Sequence, residues 1–200
     1  MQNPGSQPPG SATMTDSPSP RYSNVAIAFH WLLAIAIVAS FCVGLYMSGL
    51  TMSPTRLKLF NWHKWAGMTI FALSGLRLLW RQMHRPPADV DMPAWQQRAA
   101  HAMHIAMYVL FFGVPLAGWA YSSAAGFPIV VYGVIPLPDF VPVDKGLAEG
   151  LKALHHWLAF ALAFVVIGHV GAALKHQFID RDGLLLRMWP RHHSSPSLIP

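Results

Sequence analysis

The chain contains apolar runs that are too long and too free of charge for the interior of a small soluble domain. No Asp, Glu, Lys or Arg lies between residues 22 and 50 or between residues 153 and 174. A helix rises about 1.5 Å per residue, so either run can cross about 30 Å of hydrocarbon. Hydrophobic residues make up 54% of the chain and charged residues only 11%, which excludes disordered, collagen-like and coiled-coil classes. The pattern predicts an integral membrane protein.

Four segments are predicted to span the membrane, at about residues 22–50, 62–80, 99–121 and 151–178. The second is only just long enough. Lys64 lies at its entrance and Arg77 near its exit, and both side chains can extend toward the headgroups. Pro115 predicts a kink in the third span. The expected fold class is all-α, an integral membrane four-helix bundle over residues 21–191.

The two ends of the chain have a different composition. Residues 1–20 are rich in Pro, Ser and Gly and predict a disordered tail. They are not expected to form a signal peptide, because no basic region precedes a short apolar core and the first apolar run is too long to be cleaved. Residues 192–200 are expected to be a flexible C-terminal tail.

Lysines and arginines in the short connections predict the orientation. One side has the larger set: Arg21, Arg81, Arg85, Arg98, Lys175, Arg181, Arg187 and Arg191, with Arg77 nearby. The other side has Arg56, Lys58, Lys64, Lys145 and Lys152. The richer side is predicted to be cytoplasmic, so both termini face the cytoplasm of a bacterial inner membrane. The third connection, residues 122–150, then lies outside, where its apolar, Pro-broken stretch is expected to cap the bundle.

Eleven histidines are unexpected in so apolar a chain, because histidine is rare in lipid and common as an iron ligand. The lone Cys42 excludes a disulfide framework within the chain and any CxxC motif. His155 and His169 are fourteen residues apart, which is about 40° in rotation and about 21 Å along a helix. They therefore share one face of the fourth span at two depths, whereas His156 points elsewhere.

Depth pairs these two histidines with two others. His30 lies about two turns inside the cytoplasmic edge and can face His169, while His63 lies near the outer edge and can face His155. Two imidazole pairs stacked across a bundle predict two noncovalently held b-type haems, one in each leaflet. Taken singly, an intramembrane histidine is more often a hydrogen-bonded polar residue or a proton relay, so the prediction depends on the four together.

Other histidines and Arg77 keep two interpretations each. His101 and His104 lie on one face of the third span, where interface hydrogen bonding or a haem propionate contact is favoured over ligation. His176 lies seven residues past His169 on the same face and can donate a proton beside the inner haem, or be an ordinary interfacial histidine. Arg77 is either a partner of an inner haem propionate or a positive-inside anchor. Loop or tail positions, expected to be solvated, are His84, His192 and His193.

Glycines and tryptophans in the spans have the same ambiguity. The glycines can let helices or a porphyrin approach closely, or only pack membrane helices; they are Gly67, Gly75, Gly168 and Gly171. Tryptophans near the span ends are typical of an aromatic belt.

Several segments resemble one known family, the bacterial four-helix di-haem cytochrome b561 proteins. They are AFHWLLA around His30, NWHKWAG around His63 followed by LSGLRLLWR, AHAMHIAMYVLF, LKALHHWLAFALAFVVIGHVGAALKH, and the closing GLLLRMWPR. Their order and spacing match over about residues 20–191. The resemblance implies that the haem ligands are His30, His63, His155 and His169. The tail before Arg21 has no counterpart in the family.

The resemblance also implies an activity. The chain is most like family members that oxidise superoxide to dioxygen at the periplasmic face and pass electrons through two haems to ubiquinone, without an obligate soluble subunit. Alternatives are a cytochrome b anchor that carries electrons from a periplasmic dehydrogenase or hydrogenase to quinone, and a small haem-bearing electron carrier. Short, basic outer connections favour the first, because a docked subunit needs a larger complementary surface. No nucleic-acid partner is expected.

A rim of positive charge is expected over the outer haem. Bis-histidine ligation leaves no open iron position, so substrate must be gathered at the porphyrin edge. Lys64 and Lys152 flank the outer histidines and are predicted to attract superoxide, with further charge from Arg56, Lys58 and Lys145.

Overall fold

The computed structural model describes residues 21–88 and 90–190. Four long helices account for most of them: α1 (Asn24–Ser48), α2 (Pro54–Met83), α3 (Ala94–Ala124) and α4 (Lys145–Lys175). A π-helical turn (His176–Asp180) continues α4, and a 3₁₀ turn (Leu185–Met188) follows. The expectations for residues 1–20 and 192–200, including His192 and His193, fall outside the described residues.

Side-chain hydrogen bonds start three of the helices where the sequence offers a capping residue. The hydroxyl of Ser23 accepts from the backbone N–H of Ala26 at the start of α1. Ser53 does the same for α2, which has Pro54 in its first turn, and the Asp144 carboxylate does so for α4. These contacts satisfy N–H groups that a helix leaves free at its N-terminus.

The helices pack as antiparallel neighbours. α1 lies against α2, with His30 beside Arg77 at one end and Ser40 beside His63 nearer the other. α3 packs on both α2 and α4. Met107, Phe111 and Leu162 form the buried core between α3 and α4. The antiparallel order places the histidines of α1, α2 and α4 at matched heights.

Large apolar side chains cover the outside of the helices. Ile35, Phe164 and Ile167 are 66%, 78% and 70% exposed, respectively, as expected for a surface that faces lipid. Three of the described helical segments are long and apolar enough to cross a membrane: α1, α3, and α4 with its π-helical turn. α2 does not meet the same test, because cationic residues lie in its first and last turns and at Lys64 and Arg77.

The connection between α3 and α4 differs from the expected boundaries. Both helices extend further than predicted, so the connection is residues 125–144 rather than 122–150. It contains a small antiparallel hairpin, β1 (Val130–Val131) and β2 (Ile135–Pro136), which an all-α prediction missed. Tyr132 and Gly133 at its tip both have positive φ, 54° and 73°, as in the tight turns that suit hairpins. Trp65 Nε1 donates to Val130 O at 2.7 Å and ties the hairpin to α2.

The two ends of the bundle are distinct. We call the end with residues 49–53 and 125–144 the outer end. The end with the start of α1, residues 84–88, residues 90–93 and residues 176–190 is the inner end. At the inner end Tyr22 N–H donates to Arg187 O, and Trp31 Nε1 donates to Met188 O at 2.8 Å. Arg187 in turn donates to Ala88 O. The 3₁₀ turn therefore joins the start of α1 to the connection between α2 and α3.

Candidate functional site

His63 and His155 face each other near the outer end, and we call them the outer histidine pair. Their ring centres are 6.1 Å apart. His155 Nδ1 lies 2.9 Å from Val114 O, and His63 Nδ1 lies 3.2 Å from Ser40 Oγ. A carbonyl only accepts, so His155 Nδ1 carries the proton, which leaves the Nε2 lone pair free for a metal.

Two glycines provide space for the outer pair. A Cβ added at Gly118 would lie 3.0 Å from the His155 ring, and one at Gly44 would lie 3.2 Å from the His63 ring. Both distances are shorter than side-chain contacts normally allow. The sequence analysis had singled out other glycines. Gly118 could have been found from its position, because it follows Pro115 by one turn on the face of α3 that meets α4. Pro115 lies buried within α3.

A cavity of about 230 Å³ adjoins the outer pair inside the bundle. His63 and His155 line it, together with apolar residues from all four helices such as Phe41, Phe111 and Leu162. A Cβ at Gly67, which also lines the cavity, would meet nothing within 4 Å. The bundle therefore leaves space beside the imidazoles where a flat apolar group can enter.

His30 and His169 form the inner histidine pair, with ring centres 6.2 Å apart. Arg77 Nη2 lies 3.3 Å from His30 Nδ1. His104 on α3 is a third imidazole here, with its ring centre 5.9 Å from that of His169. Sequence reasoning had left His104 without a partner, because nothing in the spacing of α3 fixes its angle to α4. Both pairs are half-buried, but only the inner pair has a guanidinium beside a ring nitrogen.

Three other histidines that the sequence analysis considered lie away from the two pairs. His156 is exposed and packs its ring on Trp157 and Phe160, away from His155. His101 is exposed, and so is His84, which follows the last residue of α2 and stacks on Trp80. Gly168 lies against Met103.

His176 lies in the π-helical turn and contacts two carboxylates. Its Nδ1 is 2.5 Å from an oxygen of Asp182 and 3.3 Å from one of Asp180. Lys175 also pairs with Asp180, at 2.5 Å. The sequence had singled out His176 without these partners, because an α-helix continued through residue 180 would not bring Asp182 back to it. Arg181, in the left-handed conformation with φ 54°, ends the turn and reverses the chain.

The two lysines of the expected outer rim are placed differently from each other. Lys64 Nζ donates to Phe127 O at 3.0 Å, so its ammonium holds the start of the hairpin connection. Lys152 is exposed, and its Nζ lies 3.9 Å from a carboxylate oxygen of Glu149, one turn earlier in α4. Both remain at the outer end, but a carboxylate offsets part of the charge of Lys152.

The geometry of both pairs fits a b-type haem. Metal–nitrogen bonds to imidazole are about 2 Å long, so two imidazoles on opposite sides of one iron have ring centres roughly 6 Å apart. The observed 6.1 and 6.2 Å agree with this spacing. At the outer pair, the free Nε2 of His155, the glycine space and the cavity agree as well. The histidine pairs and the apolar helices that carry them define a membrane cytochrome of the b type.

The chain belongs to the prokaryotic cytochrome b561 family. The family model described as "Prokaryotic cytochrome b561" matches residues 21–191, which is the region that the motifs mark. Members of this family are membrane proteins that bind haem b and transfer electrons. The resemblance found in the sequence is thereby confirmed.

Curated relatives support this assignment along nearly their whole length. "Cytochrome b561 homolog 2" of Escherichia coli (strain K12) is 35% identical over 178 residues, which cover 88% of this chain and 94% of the relative. "Cytochrome b561 homolog 1" of the same organism is 32% identical over 178 residues, covering 86% and 98%. "Probable superoxide oxidase CybB" of Yersinia pestis is 29% identical over 172 residues, covering 86% and 97%.

Proposed function

We propose that the protein is a superoxide:quinone oxidoreductase of the inner membrane. Two superoxide anions are oxidised to two dioxygen molecules at the outer end, and the two electrons, with two protons, reduce one ubiquinone to the quinol at the inner end. The observation that carries the proposal is the presence of two histidine pairs, one toward each end, joined by His155 and His169 fourteen residues apart on α4. The printed name of the Yersinia pestis relative supports this choice of substrate.

Two haems b, one on His63 and His155 and one on His30 and His169, would supply one-electron carriers at the two heights. The outer pair provides a His155 Nε2 that is already free for iron. At the inner pair, Arg77 donates to His30 Nδ1, which places the ring proton on Nε2. For His30 Nε2 to bind iron, the ring proton must move to Nδ1. Arg77 must therefore stop donating to Nδ1. We propose that the guanidinium then binds a haem propionate.

Lysines at the outer end attract the superoxide anion. Lys64 is fixed beside His63 by its bond to Phe127 O, so its charge is held close to the outer pair instead of moving freely in solvent. Lys152 is exposed one turn before His155. Cationic groups at an entrance raise the local concentration of an anion and its association rate.

Quinone is proposed to bind at the inner end beside the π-helical turn. A cavity of about 390 Å³ is lined there by Gln177, Phe178, Arg181, Gly183 and Leu186. Phe178 and Leu186 are exposed, so a lipid-soluble ring can enter from the bilayer. His176 would relay protons, because the Asp182 carboxylate accepts from its Nδ1–H, which leaves the Nε2 lone pair to take up a proton and pass it to the quinone.

All four helices are proposed to cross the membrane, with the inner end cytoplasmic. The start of α1 and the segment after α4 lie at one end of the bundle, as an even number of spans requires. That end also has more of the arginines. A reporter fused after Arg191 is expected to read as cytoplasmic.

The test is to purify the protein alone and expose the oxidised cytochrome to superoxide. The expected result is rapid reduction of the haem, seen as growth of its α-band and abolished by superoxide dismutase. A short-chain ubiquinone added afterwards should reoxidise the haem. A cytochrome that superoxide does not reduce, while dithionite does, contradicts the proposed activity.

One observation favours the alternative of an anchor for a soluble donor. The hairpin at the outer end exposes apolar side chains, among them Val134 at 78% and Ile135 at 57%, and such a surface can bind a partner. Replacing both with serine separates the two functions. Superoxide-driven reduction of the purified protein should not change, whereas reduction by a docked periplasmic subunit should weaken.

A further inference from the structure

Arg187 is a buried charge with no counterion in the part of the chain that the structure describes. It is 8% exposed, and within residues 21–88 and 90–190 it is the one buried charged side chain. Nη1 donates to Ala88 O at 2.7 Å, but Nε is buried without a partner, and no carboxylate of these residues lies within ion-pair distance. A guanidinium is always protonated, and burying it unpaired is costly. The site therefore calls for an anion.

The position of Arg187 connects it to the inner histidine pair. The 3₁₀ turn that carries it is bonded to α1 through Tyr22 and through Trp31 Nε1, which donates to Met188 O. The Trp31 ring lies edge-on to His30, with 5.5 Å between ring centres. Arg187 is thus packed into the inner end beside the helix turn that presents His30.

We propose that Arg187 binds a propionate carboxylate of the inner haem. A haem b has two propionates on one edge. At the inner end Arg77 lies beside His30 and Arg187 is buried, and neither guanidinium has a carboxylate partner among the described residues. An Arg fork matches a carboxylate in charge and geometry. This inference rests on the proposed inner haem and adds a second residue to its anchoring. It also gives the C-terminal GLLLRMWPR segment a role in holding the cofactor.

Two other anions have the same chemistry. A lipid headgroup phosphate is one, but the Arg187 side chain is only 8% exposed and donates to the Ala88 carbonyl, so little of it is open to the bilayer surface. The carboxylate of Asp89 is the other, since this residue follows Ala88 in the sequence and lies outside the described residues. The experiment below tests each of these two anions with its own measurement.

The experiment compares Arg187→Gln with Arg85→Gln, which removes one exposed charge at the same end. The purified holoprotein is titrated electrochemically, and haem transfer to excess apomyoglobin is timed. In Arg187→Gln the one-electron reduction of one haem should become about tenfold less favourable, which is 59 mV, because a cation stabilises the reduced form. That haem should also transfer at least tenfold faster. The other haem, and both haems of Arg85→Gln, should be unchanged.

Arg187→Lys keeps the charge and removes the fork, so it serves where Arg187→Gln does not accumulate. It should keep the potential near that of the unmodified protein and speed transfer of one haem several-fold. Unchanged transfer in Arg187→Lys, or unchanged potentials and transfer in Arg187→Gln, overturns the inference. So does an Asp89→Asn variant that reproduces Arg187→Gln, or an effect that appears only in nanodiscs with anionic lipid. A single haem in the unmodified protein would instead refute the proposed function.

Discussion

The outer and inner histidine pairs have nearly the same ring spacing, 6.1 and 6.2 Å, but different surroundings. At the outer pair the ring nitrogens meet neutral groups, the Val114 carbonyl and the Ser40 hydroxyl. At the inner pair His30 meets the charged Arg77. One geometry is therefore repeated in two electrostatic environments.

The difference in charge predicts different tasks for the two proposed haems. Nearby cations stabilise the reduced, more negative state of a redox centre, so the inner position should have the higher potential. The proposed flow of electrons from the outer end to the inner end then needs no further energy input.

The largest expected effect is loss of one haem when either pair is broken. His155→Ala should remove the outer haem and His169→Ala the inner haem, because a single imidazole cannot hold the iron from both sides. The ratio of haem to protein, measured as the pyridine haemochrome, should fall from two to one in each case. His156→Ala is the matched control and should keep both haems. Loss of a haem in that variant, with both retained in His155→Ala, would reverse the assignment.

A smaller loss of the outer haem alone is expected from Gly118→Ala. The added Cβ would lie 3.0 Å from the His155 ring, so the ring must shift and its bond to Val114 O weaken. Gly113→Ala is a matched control on the same helix, because a Cβ there meets nothing within 4 Å. Haem content and the α-band of each haem report the outcome. Equal occupancy in the two variants would show that the glycine space is not needed.

Reversing charge at the outer end should slow the reaction with superoxide while leaving both haem spectra intact. Lys64→Glu with Lys152→Glu is expected to lower the second-order rate constant by about tenfold at low salt and to weaken its salt dependence. Arg98→Glu makes the same kind of change at the inner end and should leave the rate nearly unchanged. The rate is measured by stopped flow or pulse radiolysis. An unchanged rate in the double variant contradicts electrostatic attraction at this end.

The smallest effect is expected from Arg77→Gln. Loss of the guanidinium beside His30 should lower the reduction potential of the inner haem by roughly 30–60 mV, a few-fold to tenfold in the one-electron equilibrium, and leave the outer haem unchanged. A spectroelectrochemical titration that resolves the two haems measures this. If the outer potential moved instead, the assignment of pairs to ends would be wrong.

Helical periodicity was sufficient to predict which histidines face each other. The fourteen-residue spacing on α4 and the depths of His30 and His63 depend only on regular helix geometry, which long apolar helices keep. The same reasoning predicted that His156 points away. It could not give the angle of α3 about its own axis, so the approach of His104 to His169 was missed.

Irregular backbone accounts for most of the other differences. The π-helical turn brings Asp182 to His176, and the hairpin tip at Tyr132 and Gly133 orders a connection that was predicted only as a cap. Arg187 was counted as one more surface cation, yet a 3₁₀ turn buries it. Each of these features depends on a few residues in unusual conformations, which a periodic pattern does not report.

The direction of electron flow tests the central claim most directly, in the two variants that keep one haem each. His169→Ala, with only the outer haem, should be reduced by superoxide at a rate close to that of the unmodified protein but should not pass electrons to quinone. His155→Ala, with only the inner haem, should react poorly with superoxide and be reoxidised by quinone after reduction with dithionite. Pre-steady-state traces of the α-band give both rates. The opposite pattern, with superoxide reducing the inner haem and quinone oxidising the outer one, would contradict the account.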